Sequence, residues 1–189
     1  MIERQSATLA RLVDDLLDTA RISRGQLQLV REPIALQTTL QRAIDTARLA
    51  LDGRRHRLAV EMPAEPLTVV GDATRLEQVF ANLLLNAVKY TPDEGQIRIA
   101  VSAQGGVGGR EAVVCVRDSG IGIAAQMLPK VFDLFAQADR SATQSQGGLG
   151  IGLSLVRSLI ELHGGRVTAS SPGEGKGSEF AVYLPLKGG

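Results

Sequence analysis

The stretch Asn82-Leu83-Leu84-Leu85-Asn86-Ala87-Val88-Lys89-Tyr90 decides the fold, because its helical period separates polar from apolar residues. At 3.6 residues per turn, Asn86 lies about 40° around the helix axis from Asn82, and Lys89 lies about 20° to the other side. The apolar residues roughly 100 to 160° away from Asn82 are Leu76, Phe80, Leu83 and Ala87. One face therefore belongs to a core, and another carries two amides and an ammonium group.

This polar face has two interpretations. Polar rows of this kind are ordinary on the solvated side of a helix. The same side chains also suit Mg²⁺ and phosphate, because a neutral amide oxygen is a hard ligand and an ammonium group pairs with phosphate. The helix by itself leaves both interpretations open.

A second group of residues, Asp118-Ser119-Gly120-Ile121-Gly122, follows a predicted strand at 113–117. An aspartate at the end of a strand lies at the floor of a cleft, and the glycines let a ligand approach the backbone closely. Such a carboxylate accepts a hydrogen bond from an adenine amino group. Asp-Ser-Gly is also common in ordinary turns, so this motif alone is weak.

A third group, Gly147-Gly148-Leu149-Gly150-Ile151-Gly152-Leu153, opens a helix predicted to run from about Leu149 to His163. Glycines in a first helical turn leave the backbone N–H groups unobstructed, and the helix dipole favours an anion there. The segment lacks the Gly-Lys-Ser/Thr of a P-loop and comes too late in the chain for a Rossmann fingerprint. It predicts a phosphate-binding helix terminus.

Outward from these groups, periodicity and turn residues predict alternating helices and strands. Expected helices are an N-terminal one ending near Gly25, one at 36–53, one between the N-cap Asp72 and Thr91-Pro92, and the last at 149–163. Expected strands are 26–30, 56–61, 67–70, 96–102, 111–117, 166–169 and 178–184, with the glycine-rich 105–109 as a flexible hairpin connection. The pattern indicates an α+β fold, a two-layer α/β sandwich whose mixed sheet is covered on one face by helices.

The composition argues against several classes of function. The 189 residues carry a net charge of +1, with 3% aromatics and no Trp, which argues against nucleic acid as a partner. The single Cys115 cannot form an internal disulfide, and with only His56 and His163 no zinc cluster can be assembled, so a reducing compartment is indicated. No run approaches the roughly 20 apolar residues that cross a bilayer.

Taken in chain order, the motifs closely resemble the N, G1, F, G2 and G3 boxes of sensor histidine kinases. These boxes are Asn82-x-x-x-Asn86-x-x-Lys89-Tyr90, Asp118-x-Gly120-x-Gly122, Phe132-x-x-Phe135, Gly148-x-Gly150-x-Gly152-Leu153 and Gly175-x-Gly177-Ser178. Residues 12–22 look like the end of the second helix of the family's dimerisation and phosphoacceptor domain. The resemblance covers the whole chain and implies that helix at 1–25, a linker at 26–35, and at 36–189 the ATP-binding domain of the gyrase, chaperone, histidine kinase and mismatch-repair superfamily.

The resemblance also implies roles for individual residues. Asn82, Asn86 and Lys89 would be catalytic, with Asn86 holding Mg²⁺ and the other two facing the phosphates of ATP. Asp118 would read the adenine amino group, and residues 133–147 would form a lid over the nucleotide. The remaining expected nucleotide contacts are Tyr90, Gly120, Gly122, Ile123, Phe135, Gly148, Leu149, Gly150, Gly152, Leu153 and Ser178.

Asn82 stands where gyrase-type relatives carry a water-activating glutamate. Because an amide cannot take a proton from water, the resemblance implies a site that keeps the γ-phosphate for transfer. Gln137 departs from the arginine that many members carry after the F box, with Arg140 as a candidate substitute. The pattern Phe135-Ala136-Gln137-Ala138-Asp139 looks more like hybrid kinases that continue into a receiver domain. No phosphoacceptor histidine box is present, and His56 and His163 fit structural roles, so the resemblance implies a fragment of a longer kinase.

We therefore expect the ATP-binding catalytic domain of a bacterial sensor histidine kinase, which transfers the γ-phosphate of ATP to a histidine outside this chain. Its expected cofactors are ATP and Mg²⁺. Its expected partners are a dimerisation and phosphoacceptor domain and a response regulator or receiver domain, within a cytoplasmic or inner-membrane-anchored homodimer. The alternatives are a nucleotide-binding interaction module without kinase activity, which the intact boxes disfavour, and a gyrase-like ATP-driven clamp, which Asn82 disfavours.

Overall fold

The computed structural model describes residues 2–106, 109–136 and 150–187, with side chains from Val13 onward. The elements in chain order are α1 (Ile2–Ser23), β1 (Glu32–Ala35), α2 (Leu36–Gly53), β2 (Arg57–Glu61), β3 (Thr68–Gly71), α3 (Ala73–Tyr90), β4 (Gln96–Gly106), β5 (Gly109–Asp118), a 3₁₀ turn (Leu128–Lys130), α4 (Gly152–Leu162), β6 (Arg166–Ser170) and β7 (Ser178–Pro185). Within these ranges, no helix has the length and apolar character that a membrane span requires.

The strands form a mixed five-stranded sheet and a small two-stranded one. The larger sheet has the order β2-β4-β5-β7-β6, in which β2 and β4 are parallel and the other neighbours are antiparallel. The smaller sheet pairs β1 with β3. Helices α2, α3 and α4 pack beside one another over the larger sheet. The predicted α+β two-layer sandwich with a mixed sheet is confirmed.

The core lies between the helices and one face of the sheet. Leu76, Phe80 and Leu83 of α3 are fully buried, and they meet the alternate residues of the central strands that point the same way. Those strand residues are Ile97, Ile99, Val114, Val116, Val182 and Leu184. Burial of a side chain such as Phe80 contributes about 2–3 kcal/mol, so this apolar face fixes how α3 is rotated. The polar face of α3 is thereby turned away from the sheet's centre.

Both predicted ends of α3 are confirmed. The Asp72 carboxylate accepts a hydrogen bond from the Arg75 backbone N–H at 3.1 Å, which satisfies one of the free donors of the first turn. The helix ends at Tyr90, directly before Thr91-Pro92. Nε2 of His56 lies 3.2 and 3.1 Å from the carbonyl oxygens of Thr91 and Pro92, which gives this histidine the structural role expected for it.

The strand predicted at 26–30 is wrong. No strand forms there; β1 begins at Glu32 and includes Pro33, which the alternating pattern had placed beyond the strand's end. Among the described residues, strand β1 pairs only with β3, so the missing N–H of Pro33 can lie on an unpaired edge. The last four residues of the predicted linker therefore form a strand against β3.

Two other boundaries differ from prediction. Pairing of β4 with β5 continues to Gly106 and Gly109, so part of the glycine-rich connection belongs to the hairpin ladder. Helix α4 begins at Gly152, because Gly150 has a positive φ of 70°, outside the helical range. The predicted helical residue Leu149 lies outside the described residues.

His163, at the end of α4, connects two helices. Its Nδ1 donates to the Leu159 carbonyl at 2.7 Å, and its Nε2 accepts from the Asp72 backbone N–H at 2.9 Å. Both bonds together require a neutral ring protonated on Nδ1. The ring is buried and therefore structural, as the sequence predicted.

Acidification is expected to destabilise the fold through His163. Burial lowers the pKa of His163 below its ordinary value, and the bond to Leu159 offsets this only in part. The stability that the neutral ring contributes is therefore complete above the ordinary histidine pKa of about 6.5. It is lost as the pH falls from there through the lowered pKa of His163 in the folded state. Urea unfolding between pH 7.5 and 5 measures this loss, whose slope cannot exceed about 1.4 kcal/mol per pH unit for one proton. The variant His163→Gln, which does not titrate, should lack it; equal slopes in both proteins would contradict the assignment.

Candidate functional site

The register of the central strands places Asp118 where β5 ends, the position at which the sequence predicts the floor of a cleft. Asp118 ends β5 on the same face as Val114 and Val116, and its side chain is buried. Ser178 lies directly opposite it at the start of β7. The Ser178 hydroxyl donates to Oδ2 of Asp118 at 2.5 Å, and the Gly120 N–H donates to Oδ1 at 2.8 Å. The carboxylate is thus held at a fixed orientation where β5 ends.

The end of α3 is joined to the loop that follows Asp118. The Ile121 N–H donates to the Tyr90 carbonyl at 3.0 Å. A Cβ at Gly120 would lie 2.3 Å from that carbonyl oxygen, so a side chain at position 120 would force the two segments apart. Glycine is required here for backbone packing, in addition to any closeness to a ligand.

Asn82 of α3 and the beginning of α4 lie close together. The Asn82 side chain is 7% exposed, and its Nδ2 has no hydrogen-bond partner among the described residues. A Cβ built on Gly152 would lie 4.0 Å from this Nδ2. No side chain caps α4 within the described ranges, so its first N–H groups also lack acceptors from a cap. The Asn82 amide of α3 and the first N–H groups of α4 therefore present hydrogen-bond donors close to one another.

Asn86 and Lys89 continue the polar face of α3 beyond Asn82. Asn86 is half-buried. Lys89 Nζ donates to the Tyr90 hydroxyl at 3.0 Å and lies 4.6 Å from the centre of the Tyr90 ring. The Tyr90 side chain is itself exposed at the end of α3. The Lys89 ammonium group is therefore held near the surface by the Tyr90 side chain.

The other predicted contacts lie in different surroundings. Ile123 and Leu153 are partly buried and pack against the hydrophobic core. Phe135 is 59% exposed, and its N–H donates to the Gly150 carbonyl at 3.1 Å, beside the entry to α4. Gly122 is packed against the carbonyl of Gly173. Gly148, Leu149 and most of the predicted lid lie outside the described residues, as do Gln137 and Arg140.

Ser171, which no predicted motif includes, organises the loop beneath Gly122. Its hydroxyl accepts from the Ile123 N–H at 3.0 Å and donates to the Gly177 carbonyl at 2.7 Å. These bonds tie the segment after Asp118 to the segment that precedes Ser178. The signal available in the sequence was Ser171-Pro172-Gly173, a turn pattern that does not reveal a partner 48 residues away.

The fold suits a nucleotide-binding α+β domain: a carboxylate of fixed orientation ends β5, and among the described residues Asn82 and the start of α4 offer N–H donors without a partner. Residues 71–188 match the family model of histidine kinase-, DNA gyrase B- and HSP90-like ATPases. This match spans more than half of the chain, and the chain belongs to that family, whose fold binds ATP.

Within this family, the proteins similar to the chain are sensor kinases. The chain is 38% identical over 188 residues to the probable sensor histidine kinase TcrY of Mycobacterium tuberculosis, covering 99% of this chain and 38% of TcrY. It is 34% identical over 212 residues to hybrid signal transduction histidine kinase D of Dictyostelium discoideum, covering 98% of this chain and 14% of that kinase. The chain thus spans well under half the length of these relatives.

Solved structures agree in fold. Full-length ShkA in complex with AMPPNP matches with a TM-score of 0.81 and 27% identity, over 98% of this chain and 38% of ShkA. The histidine kinase AdeS of Acinetobacter baumannii shares the fold with a TM-score of 0.76 at 23% identity, over 98% of this chain and 82% of the AdeS chain. The chain corresponds to the ATP-binding catalytic domain of a sensor histidine kinase.

Proposed function

We propose that this domain binds ATP with Mg²⁺ and transfers the γ-phosphate to a histidine that lies outside the chain. The observation that carries the proposal is the buried Nδ2 of Asn82, which faces the start of α4 and has no partner among the described residues. A buried donor without an acceptor costs about 1–3 kcal/mol, and a phosphate oxygen would supply the acceptor. The N-terminus of α4 favours the same negative charge.

The proposed nucleotide cleft would extend from Asp118 to Asn82, and the opposite polarity of these two ends would orient the nucleotide. The adenine amino group is a donor and suits the Asp118 carboxylate, whose orientation is held by Ser178 and Gly120. The phosphates are acceptors and suit Asn82, Lys89 and the first N–H groups of α4. Tyr90, at the end of α3, and Phe135, beside the entry to α4, are both exposed and would cover the nucleotide between these ends.

Asn86 is the residue proposed to hold Mg²⁺. It lies one turn after Asn82, and its neutral amide oxygen belongs to the donor class that Mg²⁺ accepts, with phosphate oxygens and waters completing the shell. When bound, Mg²⁺ would neutralise phosphate charge. Lys89 adds a positive charge on the same face of α3.

Transfer is favoured over hydrolysis because of Asn82. In this buried position an amide donates hydrogen bonds but cannot accept a proton from an attacking water. The chain's own residues thus orient the γ-phosphate without activating a competing nucleophile. An acceptor histidine must then come from elsewhere, because both histidines of the chain are buried in structural contacts.

We further propose the domain organisation and partners expected from the sequence. Residues 1–25, which include α1, would be the end of a dimerisation helix, 26–35 the connection and 36–189 the catalytic domain. The full-length protein would be a homodimer, in the cytoplasm or anchored in the inner membrane, that passes phosphate to a response regulator or receiver domain. Support comes from the sensor kinase relatives that extend well beyond this chain.

Incubation with γ-labelled ATP and Mg²⁺ tests the proposal. The chain alone is expected to retain no label, and a supplied dimerisation and phosphoacceptor domain from a sensor histidine kinase is expected to become labelled in its presence. Asn86→Ala should reduce this labelling by more than tenfold while adenosine binding stays unchanged, since only metal and phosphate contacts are lost. Stable label on the isolated chain, or rapid phosphate release without an acceptor, would contradict the proposal.

A further inference from the structure

Helix α1 is attached to α3 by polar contacts. Asp15 and Asp18 are buried against α3, at 4% and 6% exposure. Arg75 Nη1 donates to Oδ2 of Asp18 at 2.5 Å, and Gln78 Nε2 donates to Oδ1 of Asp15 at 3.1 Å and to Oδ2 of Asp18 at 3.2 Å. We call these four side chains the α1 latch: Asp15, Asp18, Arg75 and Gln78.

Packing around the α1 latch is loose. A cavity of about 510 Å³ separates α1 from α2 and α3, with Leu17, Thr46 and Leu85 among its lining residues. The apolar residues Val13 and Leu16 of α1 are about half exposed. The end of α1 packs against the core and also contacts α4. Around the α1 latch itself few apolar groups are buried, so the docking of this part of α1 on α3 depends on an ion pair and amide hydrogen bonds that water can replace.

The α1 latch occupies the same polar face of α3 as the proposed phosphate contacts. Arg75 and Gln78 lie about 20° and 40° around the helix axis from Asn82, about two turns and one turn before it. Asn82 also lines the cavity beneath α1. Along α3, Gln78 is about 6 Å from Asn82, within the Debye length of about 8 Å at physiological salt, and Arg75 is about 10 Å from it, just beyond that length.

We propose that α1 and the terminal phosphates of ATP compete for this polar face, so that docking of α1 through its latch weakens ATP binding. The inference rests on the proposed function. Two effects of docking weaken ATP binding. Docked α1 brings the carboxylates of Asp15 and Asp18 towards the phosphate site. It also engages the Arg75 guanidinium, which would otherwise attract phosphate. By reciprocity, bound ATP loosens α1.

Nucleotide titration of latch variants tests this competition. In calorimetry with Mg²⁺, Asp18→Asn is expected to bind AMPPNP about fivefold more tightly than the wild-type chain, and adenosine with equal affinity, because adenosine carries no phosphate. The matched control is Asp14→Asn, which removes the same charge from an exposed carboxylate lining the same cavity but outside the latch. This control should change AMPPNP affinity by less than about twofold, since an exposed charge is screened by solvent.

Hydrogen exchange of α1 gives an independent readout. Asp18→Asn and addition of AMPPNP to the wild-type chain should each speed exchange in α1. The charge swap Asp18→Arg with Arg75→Asp should restore slow exchange, because the ion pair forms again with its charges exchanged; a carboxylate at position 75 is also favourable near the N-terminus of α3.

The outcomes separate this inference from the proposed function. Faster α1 exchange in Asp18→Asn without tighter AMPPNP binding would overturn the competition while leaving ATP binding in place. Unchanged α1 exchange in Asp18→Asn would overturn the latch. A wild-type chain that binds neither adenosine nor AMPPNP would overturn the proposed function and the competition with it.

Discussion

Replacing Asp118 with asparagine is expected to weaken the binding of adenosine, ADP and ATP by one common factor, about 10- to 150-fold. A hydrogen bond to a charged group contributes about 1.5–3 kcal/mol, which corresponds to that range. The loss should be the same for all three ligands because they share only the adenosine part. Mg²⁺ should not alter the factor.

The Asp118→Asn substitution leaves the surrounding fold intact. The amide oxygen of the introduced side chain can still accept from the Gly120 N–H, and its NH₂ group can donate to the Ser178 hydroxyl, which rotates to accept. The same NH₂ group then faces the adenine amino group, so two donors meet where a donor met an acceptor. Adenine recognition is lost without creation of a cavity.

Isothermal titration calorimetry with the three ligands measures the effect. Asp45→Asn, on the exposed side of α2, is the matched control for the change in charge and should bind all three ligands like the wild-type chain. Equal ADP affinity of the wild-type and Asp118→Asn chains would remove Asp118 from the nucleotide site. A loss confined to ATP would place it near the phosphates instead.

Gly177→Ala is expected to destabilise the fold far more than Gly175→Ala. Both residues have nearly the same positive φ, 73° and 72°, so alanine meets the same backbone strain of about 1–2 kcal/mol at either position. A Cβ at Gly177 would lie 2.1 Å from the Asp118 carbonyl oxygen, whereas a Cβ at Gly175 meets no atom within 4 Å. Overpacking adds about 1–3 kcal/mol at position 177 alone.

The clash of the alanine Cβ at position 177 should also displace residues of the proposed nucleotide site. The Gly177 N–H donates to the Gly120 carbonyl, and Ser178 follows directly, so displacement of Gly177 shifts the hydroxyl that holds Asp118. Urea unfolding gives the two losses in stability, and adenosine titration gives the accompanying loss in affinity for Gly177→Ala. If both variants lose equal stability, backbone strain alone accounts for these glycines and the close approach to Asp118 is irrelevant.

Local patterns were sufficient for the helices and for most strands. The two faces of α3 follow from a 3.6-residue period, and its ends follow from Asp72 and from Thr91-Pro92, each within a few residues of the feature it explains. The side of the sheet on which Asp118 lies follows equally from the two-residue period of β5. The strand predicted at 26–30 was wrong because alternation was present there without a partner strand to pair with.

Contacts between distant residues could not be obtained in this way. The bond from Ser171 to Ile123, the approach of Gly177 to Asp118 and the ion pair of Asp18 with Arg75 join positions separated by 48, 59 and 57 residues. Each depends on how whole elements are placed, and the spacing of residues along the chain carries no information about that placement.

By itself, the sequence determined the helical and strand periods, the polar face of α3 and the order of the motifs, because these depend on neighbours within one or two turns. Only the tertiary structure decided that the Asn82 amide faces the start of α4 without a partner among the described residues, and that Gly120 is required by a neighbouring carbonyl. The same holds for the docking of α1 on the polar face of α3. These features arise when separate elements bury their apolar faces together, since that packing determines which polar groups meet across the cleft.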